Sequence, residues 1–580
     1  MLLDNFNEGV ISLRFLGGMF VVLSQNHNRI YMTEAYQSML NEAIKAIHDR
    51  RFWAAYPEHP KAYGEEAGPA GLAAYQSQLN KPFGGLLQEN PSEWIGEEKS
   101  PYTQELLGIQ YPRFEVENIV IRAGRAMNAW KQVGRDERAE VLIDSLERIK
   151  LRFTEIAYAT MHTTGQAFMM SFQASGPHAN DRALEALAMA YEELGRFPSS
   201  VTWDKPMGKV NVVLQKEFKA VPKGIGLIIG CSTFPIWNSV PGLYATLMTG
   251  NTAIVKPHPK AVYPIAIVVA EIQAALKAKG MDPLTVQLAV DSSSNLITKE
   301  LCENPLIKLI DYTGGSSFGA YVESLPSKTV FTEKAGVNSV ILDSVSDLGA
   351  VVQNLSFAVS LYSGQMCTAP QNFFIPEEGV KGPEGMISYE SLVSSLKEGI
   401  SAIAGNPKMA AGTYGAIQSE LTMKRVDSVR KLDAAVLLDS VAVENAEFPQ
   451  SRTISPLVLE LESKDFGIYE NELFGPIVLF IKTKNTEESV RLAKEMSQKH
   501  GAITCSAYST DEAVIHHIVS EMESVYTPVS INLTGMIWVN QHAAFSDFHV
   551  TGGNPAGNAS FTNPDYVNRR FVWVGHRRVM

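Results

Sequence analysis

Hydrophobic positions recur at two spacings along this chain, and the changes between them divide it. From Thr33 to Arg51 the residues Tyr36, Leu40, Ala43, Ile44 and Ile47 return at three- and four-residue steps, which predicts an amphipathic helix. Residues 52–113 lose that rhythm and are richer in Pro and Gly. The aromatics Phe52, Trp53, Tyr56, Trp94 and Tyr102 scattered through them suit an irregular extension wrapped over a surface. Helical spacing returns between Phe114 and Leu194, with Ala123, Ala126 and Trp130, then Val141, Leu142, Leu146 and Ile149. Lys209–Pro222 alternates instead (Val210, Val212, Leu214, then Phe218, Val221), the two-residue period of an antiparallel strand pair.

Beyond Pro222 the pattern becomes strand–helix–strand. Gly226–Gly230 and Thr252–Lys256 are short, wholly apolar-flanked runs. Pro264 opens a helix carrying Ile265, Val268, Ile272 and Leu276, and Gly280 ends it. Val286–Val290 and Ile307–Ile310 read as further strands. Strands alternating with helices imply a parallel, doubly wound sheet. A second α/β region runs from Glu333 to about Val539, and Phe571–Val574 alternates near the end, where it could pair with a neighbouring subunit. The expected class is therefore α/β, with a doubly wound parallel sheet, a second α/β region and a small β hairpin. The expected segments are 1–113, an N-terminal extension; 114–331, with the hairpin at about 205–222; 332–539; and 540–580, a C-terminal tail.

Composition changes this picture little. With 580 residues, 45% apolar and 19% charged, the chain has room for two or three domains with sizeable cores. A net charge of −12 recommends neither nucleic acid nor an anionic membrane as partner. Cys231, Cys302, Cys367 and Cys505 form no Cys-x-x-Cys pair, which suits free thiols in a reducing cytoplasm. The apolar stretch Ile11–Ser24 is interrupted by Arg14, follows Asp4 and Glu8, and lacks a clean small-residue cleavage site, so it does not read as a secretory signal. Met32 is the expected biological start. His516-His517 is the one tight histidine pair, and adjacent residues on a helix face different ways, so no metal is expected and the histidines read as ordinary surface or core residues.

The candidate chemistry centres on Ser363–Pro370. A helical run with Val351, Val352, Leu355, Ala358 and Leu361 leads to Gly364, placed as a glycine just past a helix end, and Gln371–Ile375 follows as a strand. Cys367 thus falls on a helix-to-strand turn, where a thiol can meet a substrate. Taken alone it would pass for a buried structural thiol. Its company upstream, Glu333 in Thr332–Ser339, changes that reading.

The Gly364-Gln365-Met366-Cys367 segment and the Glu333–Gly336 turn resemble the aldehyde dehydrogenase superfamily. Lys256-Pro257, Thr313–Gly319 and Glu472-Leu473-Phe474-Gly475-Pro476 carry the likeness in the family order, from about Phe114 to Asn554. The block Arg51–Pro60, together with Cys231–Pro235, resembles the PaaN-type branch associated with phenylacetate degradation. The resemblance implies that Cys367 attacks an aldehyde carbon, that hydride loss leaves a thioester, and that Glu333, with a pKa raised by partial burial, activates the water that cleaves it. The Cys367 backbone N–H and a side-chain amide would hold the oxyanion. Thr233 stands where relatives place that Asn, with Asn238 as the nearby substitute, and Gly242 stands where many carry a Lys. Lys256 and His258 would meet the adenosine ribose, Gly314, Gly315, Ser316 and Gly319 the pyrophosphate, Glu472 the nicotinamide ribose and Phe474 its ring. Pro259 replaces a Glu common in NAD-preferring members, so NADP is favoured, with NAD admitted. The resemblance implies a Rossmann-type dinucleotide-binding domain over 114–331 with the hairpin at about 205–222 as oligomerisation arm, a catalytic domain over 332–539, and a tail over 540–580 that serves oligomerisation. The implied function is NAD(P)-dependent oxidation of an aldehyde, such as an aromatic-catabolic or coenzyme A-linked semialdehyde, to an acid by a homodimer or homotetramer. The alternatives are a CoA-acylating dehydrogenase and a catalytically silent homologue acting as a binding protein.

Overall fold

The computed structural model describes residues 11–16, 19–24, 32–334, 336–537, 544–550 and 552–580, with side chains from residue 32 onward. Ile11–Leu16 and Met19–Ser24 pair as antiparallel strands; the expectation of a start at Met32 otherwise falls on residues outside those described.

Two parallel-rich sheets carry the fold. The first has five strands in the order Thr329–Lys334, Ile307–Gly314, Ile225–Ile229, Thr252–Lys256, Val286–Leu288, all parallel. Ile225–Ile229 and Thr252–Lys256 are buried at every residue, as expected of strands covered on both faces. Each buried Ile or Val there contributes about 1.5–3 kcal/mol of transfer free energy. The second sheet has seven strands in the order Ala435–Leu438, Leu457–Glu462, Ile477–Thr483, Asn372–Pro376, Ser339–Leu342, Cys505–Tyr508, Val529–Ile531. The chain leaves the first sheet at Lys334 and enters the second at Ser339. Glu333 therefore sits on the edge strand of the cofactor sheet, a few residues to the other side of the boundary expected at 331/332.

The β arm is a three-stranded antiparallel sheet of Ser200–Met207, Val210–Pro222 and Phe571–Val579. The C-terminal strand thus finds its partner within its own chain. The N-terminal region is anchored by side chains that satisfy backbone groups elsewhere. The helix Glu34–Asp49 is capped by Thr33. The Gln88 amide both donates to Leu288 O (3.1 Å) and accepts from Leu288 N (2.7 Å), so it pairs with the exposed edge of the cofactor sheet as a strand would. The Glu98 carboxylate accepts from the N–H groups of Val262 and Tyr263 at the start of the helix Tyr263–Ala278.

Candidate active site

Cys367 is presented by a strained turn. The helix Leu348–Ser360 gives way to Leu361–Gly364, in which Tyr362, Ser363 and Gly364 all have positive φ (52°, 52° and 65°). Left-handed backbone costs a non-glycine residue about 1–2 kcal/mol, and local hydrogen bonds offset it here. The Ser363 hydroxyl donates to Gly415 O (2.8 Å) and the Tyr362 hydroxyl to Thr164 O (2.8 Å). Gly364 is glycine for a second reason: a Cβ there would lie 2.4 Å from Gly475 O, so the cysteine turn packs directly on the Glu472–Pro476 segment.

Asn338, in the crossing between sheets, fixes the loop from below. Its amide donates to Cys367 O (2.7 Å) and Ala369 O (3.1 Å), while its oxygen accepts from Ile503 N (3.0 Å) and Thr504 N (3.1 Å). Sequence reading passed over it, because an Asn beside a turn carries no signal of its distant partners.

Cys367, Glu333 and His549 converge: the sulfur, a carboxylate oxygen and a ring nitrogen lie within 4.8 Å of one another. Cys367 is half-buried and opens on a cavity, whereas Glu333 and His549 are buried. Glu333 Oε2 accepts from Asn238 Nδ2 (2.7 Å) and Oε1 from His549 Nε2 (3.2 Å), with the Cys367 thiol close beside the same carboxylate. Burial would raise the Glu333 pKa, but the His549 charge and hydrogen bond, the thiol and the Arg182 charge outweigh it, so the net shift is downward. The raised pKa expected from sequence is thus reversed, because burial came with donors. Burial and the adjacent Glu333 charge push the Cys367 thiol well above its usual range. At rest the proton sits on sulfur and the carboxylate is ionised. The expectation that the histidines are bystanders fails at His549. It comes from a loop with no periodicity and reaches the site through tertiary packing alone.

The Thr233 hydroxyl donates to Cys231 Sγ (3.9 Å), and Thr233 is held through its carbonyl by Gln166 Nε2 (2.7 Å). A short side chain on this turn satisfies the nearest acceptor. Asn238 does reach the site, but its amide is engaged by Glu333. The absence of a Lys at 242 also has a reason: a Cβ on Gly242 would stand 2.5 Å from Asp311 Oδ1. That carboxylate is clamped by both terminal nitrogens of the buried Arg570 (2.6 and 2.7 Å) and by the Tyr566 hydroxyl (2.9 Å).

The cavity beside Cys367 has a volume of about 590 Å³. Its wall is mostly apolar: Met169, Met170, Met366, Met409 and Met536 with Phe234, Trp237 and Phe357. Methionine side chains adapt to varied apolar shapes. Met169, Lys408, Met409 and Met536 are exposed and mark the mouth.

Of the residues expected to hold a dinucleotide, Lys256, His258, Gly314, Gly315, Ser316 and Gly319 lie at or just past the ends of the cofactor strands Thr252–Lys256 and Ile307–Gly314 and fit such a group, while Glu472 and Phe474 precede the strand Ile477–Thr483 of the second sheet. Gly315 caps the helix Ser316–Glu323, and nothing lies within 4 Å of the position its Cβ would take, so the backbone is open to a pyrophosphate. Gly314 and Gly319 are needed for packing, against Tyr312 and Lys334. Glu472, beside Phe474, has its pKa pushed up to about 7 by burial, opposed by Arg425, and carries no hydrogen bond among the described residues. Lys256 is buried with Nζ 2.6 Å from Asp291 Oδ1, and burial lowers its pKa against the pull of that carboxylate. Burial and the Lys256 and Lys260 charges push His258 down to about 4, leaving it neutral, and its Nδ1 accepts from Lys260 N (3.2 Å). A carboxylate therefore does stand by Lys256, supplied by Asp291 beyond the neighbouring strand rather than by position 259.

Comparison with known proteins agrees with this geometry. The aldehyde dehydrogenase family model matches residues 94–568. A crystal structure of an NAD-dependent aldehyde dehydrogenase from Burkholderia multivorans superposes with a TM-score of 0.92 at 42% identity, covering 94% of this chain and 98% of that one. A 1-pyrroline-5-carboxylate dehydrogenase from Thermus shares the fold at a TM-score of 0.69 and 17% identity, over 91% of this chain and 99% of that one. Benzaldehyde dehydrogenase YfmT of Bacillus subtilis is 24% identical over 428 residues, 72% of this chain and 82% of that protein. With these matches spanning both sheets and the Cys367 turn between them, the chain belongs to the aldehyde dehydrogenase family and is an NAD(P)-dependent enzyme.

Proposed function

We propose that the enzyme oxidises an aldehyde to a carboxylic acid through a thioester on Cys367. The observation that carries this reading is the Cys367 sulfur, at the wall of an apolar cavity, within 4.8 Å of the buried Glu333 carboxylate. Because the thiol is not acidic at rest, its proton passes to Glu333 as sulfur bonds to the aldehyde carbon. The resulting oxyanion is held by the Cys367 N–H. A bound nicotinamide dinucleotide supplies the hydride acceptor. Lys256, Gly315, Glu472 and Phe474 are the groups that would hold it. Loss of hydride from carbon leaves the thioester. Glu333 releases the thiol's proton to solvent, then takes a proton from the attacking water and returns it to sulfur as the acid leaves. Glu333 favours hydrolysis over acyl transfer to coenzyme A.

For the cofactor we infer NAD ahead of NADP. Asp291 neutralises Lys256 and His258 is uncharged, so a 2′-phosphate beside Lys256 would meet a carboxylate, with Lys260 as the remaining nearby cation. This reverses the preference drawn from Pro259. For the substrate we infer an aldehyde with an aromatic or extended apolar body. The aromatic-catabolic semialdehydes of the PaaN-type reading fit, including coenzyme A-linked ones, since Lys408 at the mouth suits an anionic end. The four free thiols suit the cytoplasm. The exposed Val201, Met207, Val210, Val572 and Val579 on the arm suit a homodimer or homotetramer.

The test is turnover of aliphatic, aromatic and coenzyme A-linked aldehydes with NAD and NADP, with product analysis. Acid formation with NAD, abolished in Cys367→Ala and slowed at thioester hydrolysis in Glu333→Gln, is expected. Turnover that requires added coenzyme A would replace hydrolysis with acylation. Dinucleotide binding without turnover over the whole panel would make the chain a binding protein, a reading favoured by the engagement of the Thr233 hydroxyl with Cys231.

A further inference from the structure

Glu333 has two oxygens, and protein donors claim both. Asn238, just ahead of the helix Val240–Met248, takes Oε2. His549 takes Oε1 from a C-terminal loop that helical and strand spacing left blank. That loop is built around the Glu333 strand. The Lys334 N–H donates to Ala556 O (2.6 Å), the Thr332 N–H to Asn558 Oδ1 (2.8 Å), and Glu333 itself bridges to Gly557. On its other side the loop is tied to the helix Pro177–Leu194, where Glu185 accepts from Phe545 N (3.0 Å) and from the Thr562 hydroxyl. The extension holds it too: Trp53 stacks edge-on against Phe545 at 4.9 Å, and Arg50 donates to Phe545 O. The imidazole is fixed by an edge-on contact with Trp237 (4.8 Å, 89°) and by Phe561 (5.8 Å). An ionised carboxylate only accepts, so Nε2 carries the hydrogen.

We propose that His549 is the positioning residue for Glu333: its Nε2–H holds the carboxylate in the rotamer whose remaining lone pairs face Cys367 and the attacking water. This rests on the reading of Cys367 and Glu333 given above. In the hydrolytic step, water adds to the thioester carbonyl as Glu333 takes one of its protons. The carbon–sulfur bond then breaks and sulfur leaves as thiolate, which recovers that proton from Glu333. A carboxylate free to turn would miss one of these two transfers. Without His549, Asn238 alone would orient it, and the other oxygen would be buried without a partner.

The groups facing the pair are few. Cys367 and Asn238 face Glu333, with Cys231 beyond. Arg182, itself paired with Glu185 and lying over the Trp237 and Phe561 rings, acts on Glu333 and on Asp547, and Asp547 interacts with the His549 charge.

The experiment compares wild type, His549→Gln, His549→Phe and Glu333→Gln by pre-steady-state acylation, steady-state kinetics and pH profile. His549→Phe keeps a ring on Trp237 but has no donor, whereas His549→Gln restores an N–H near the Nε2 position. The expected result for His549→Phe is a fall in kcat of about tenfold to a hundredfold, with KM little changed. The acid limb of its profile should move up by about one pH unit, since a hydrogen bond and charge that favour the carboxylate are gone. His549→Gln should recover most of the rate. In the Glu333→Gln background His549→Phe should add nothing. The proposal is overturned if His549→Phe leaves both kcat and the acid limb at wild-type values, or if both His549 variants lose activity equally without moving the limb. If His549→Phe does not fold, the limb and rate of His549→Gln decide alone, since loss of charge still predicts an upward shift. Full activity in Cys367→Ala would instead sink the underlying reading, a result distinct from any His549 outcome.

Discussion

Removing the Asn338 amide should loosen the catalytic turn more than its distance from substrate suggests. Four hydrogen bonds meet at this one buried side chain, two on the cysteine loop and two just ahead of the strand Cys505–Tyr508. In Asn338→Ala the carbonyls of Cys367 and Ala369 and the N–H groups of Ile503 and Thr504 all lose their partner. At about 1 kcal/mol for each, allowing for partial replacement by water, the loss is about 4 kcal/mol. Asn338→Asp is the sharper variant. It keeps acceptance from Ile503 and Thr504 but sets a second oxygen against two carbonyls, so it should be no milder than Ala despite its equal size. The turn also carries positive-φ strain at Tyr362 and Ser363, so a weakened anchor lets it relax away from the geometry that aims Cys367. A displacement of about 1 Å is enough to cost about a hundredfold in rate. The assay pairs residual activity after heating, a kinetic measure suited to a large chain, with the rate of Cys367 alkylation by iodoacetamide. Both variants should inactivate faster, alkylate faster and lose at least about tenfold in kcat/KM. Wild-type half-life, alkylation rate and turnover in both variants would refute the view that this side chain holds the nucleophile's loop.

Two more outcomes follow from packing and burial. Gly242→Ala would ordinarily gain about 1 kcal/mol of helix propensity. Here its methyl must displace an Asp311 carboxylate fixed by Arg570 and Tyr566, so the variant should instead be destabilised, by about 1–3 kcal/mol, in thermal melts. Glu98 has its pKa pushed up to about 7 by burial, against donors on Tyr111, Tyr263 and Val262. The folded state therefore holds a proton that the unfolded state has lost between about pH 4.5 and 7, and stability falls as pH rises through that window. Glu98→Gln should gain on wild type across it by up to about 3 kcal/mol and run parallel above pH 7; a stability difference that does not change with pH would refute the assignment.

The sequence by itself determined the local alphabet of this enzyme. The spacing of apolar residues gave the strands Thr252–Lys256 and Ile225–Ile229 almost to the residue, because buried parallel strands need unbroken apolar runs. The place of Cys367 between a helix and a strand was legible in the spacing, and its pairing with Glu333 in the resemblance of the two segments to a known family. Tertiary structure decided whatever depended on residues far apart in the chain. It placed His549 against Glu333 and Asp291 against Lys256. It also reversed the sign of the Glu333 shift, because a pKa depends on which donors and charges surround a buried group as much as on burial itself. Periodicity records how each segment meets the core; it holds no record of which side chains from other segments meet inside it.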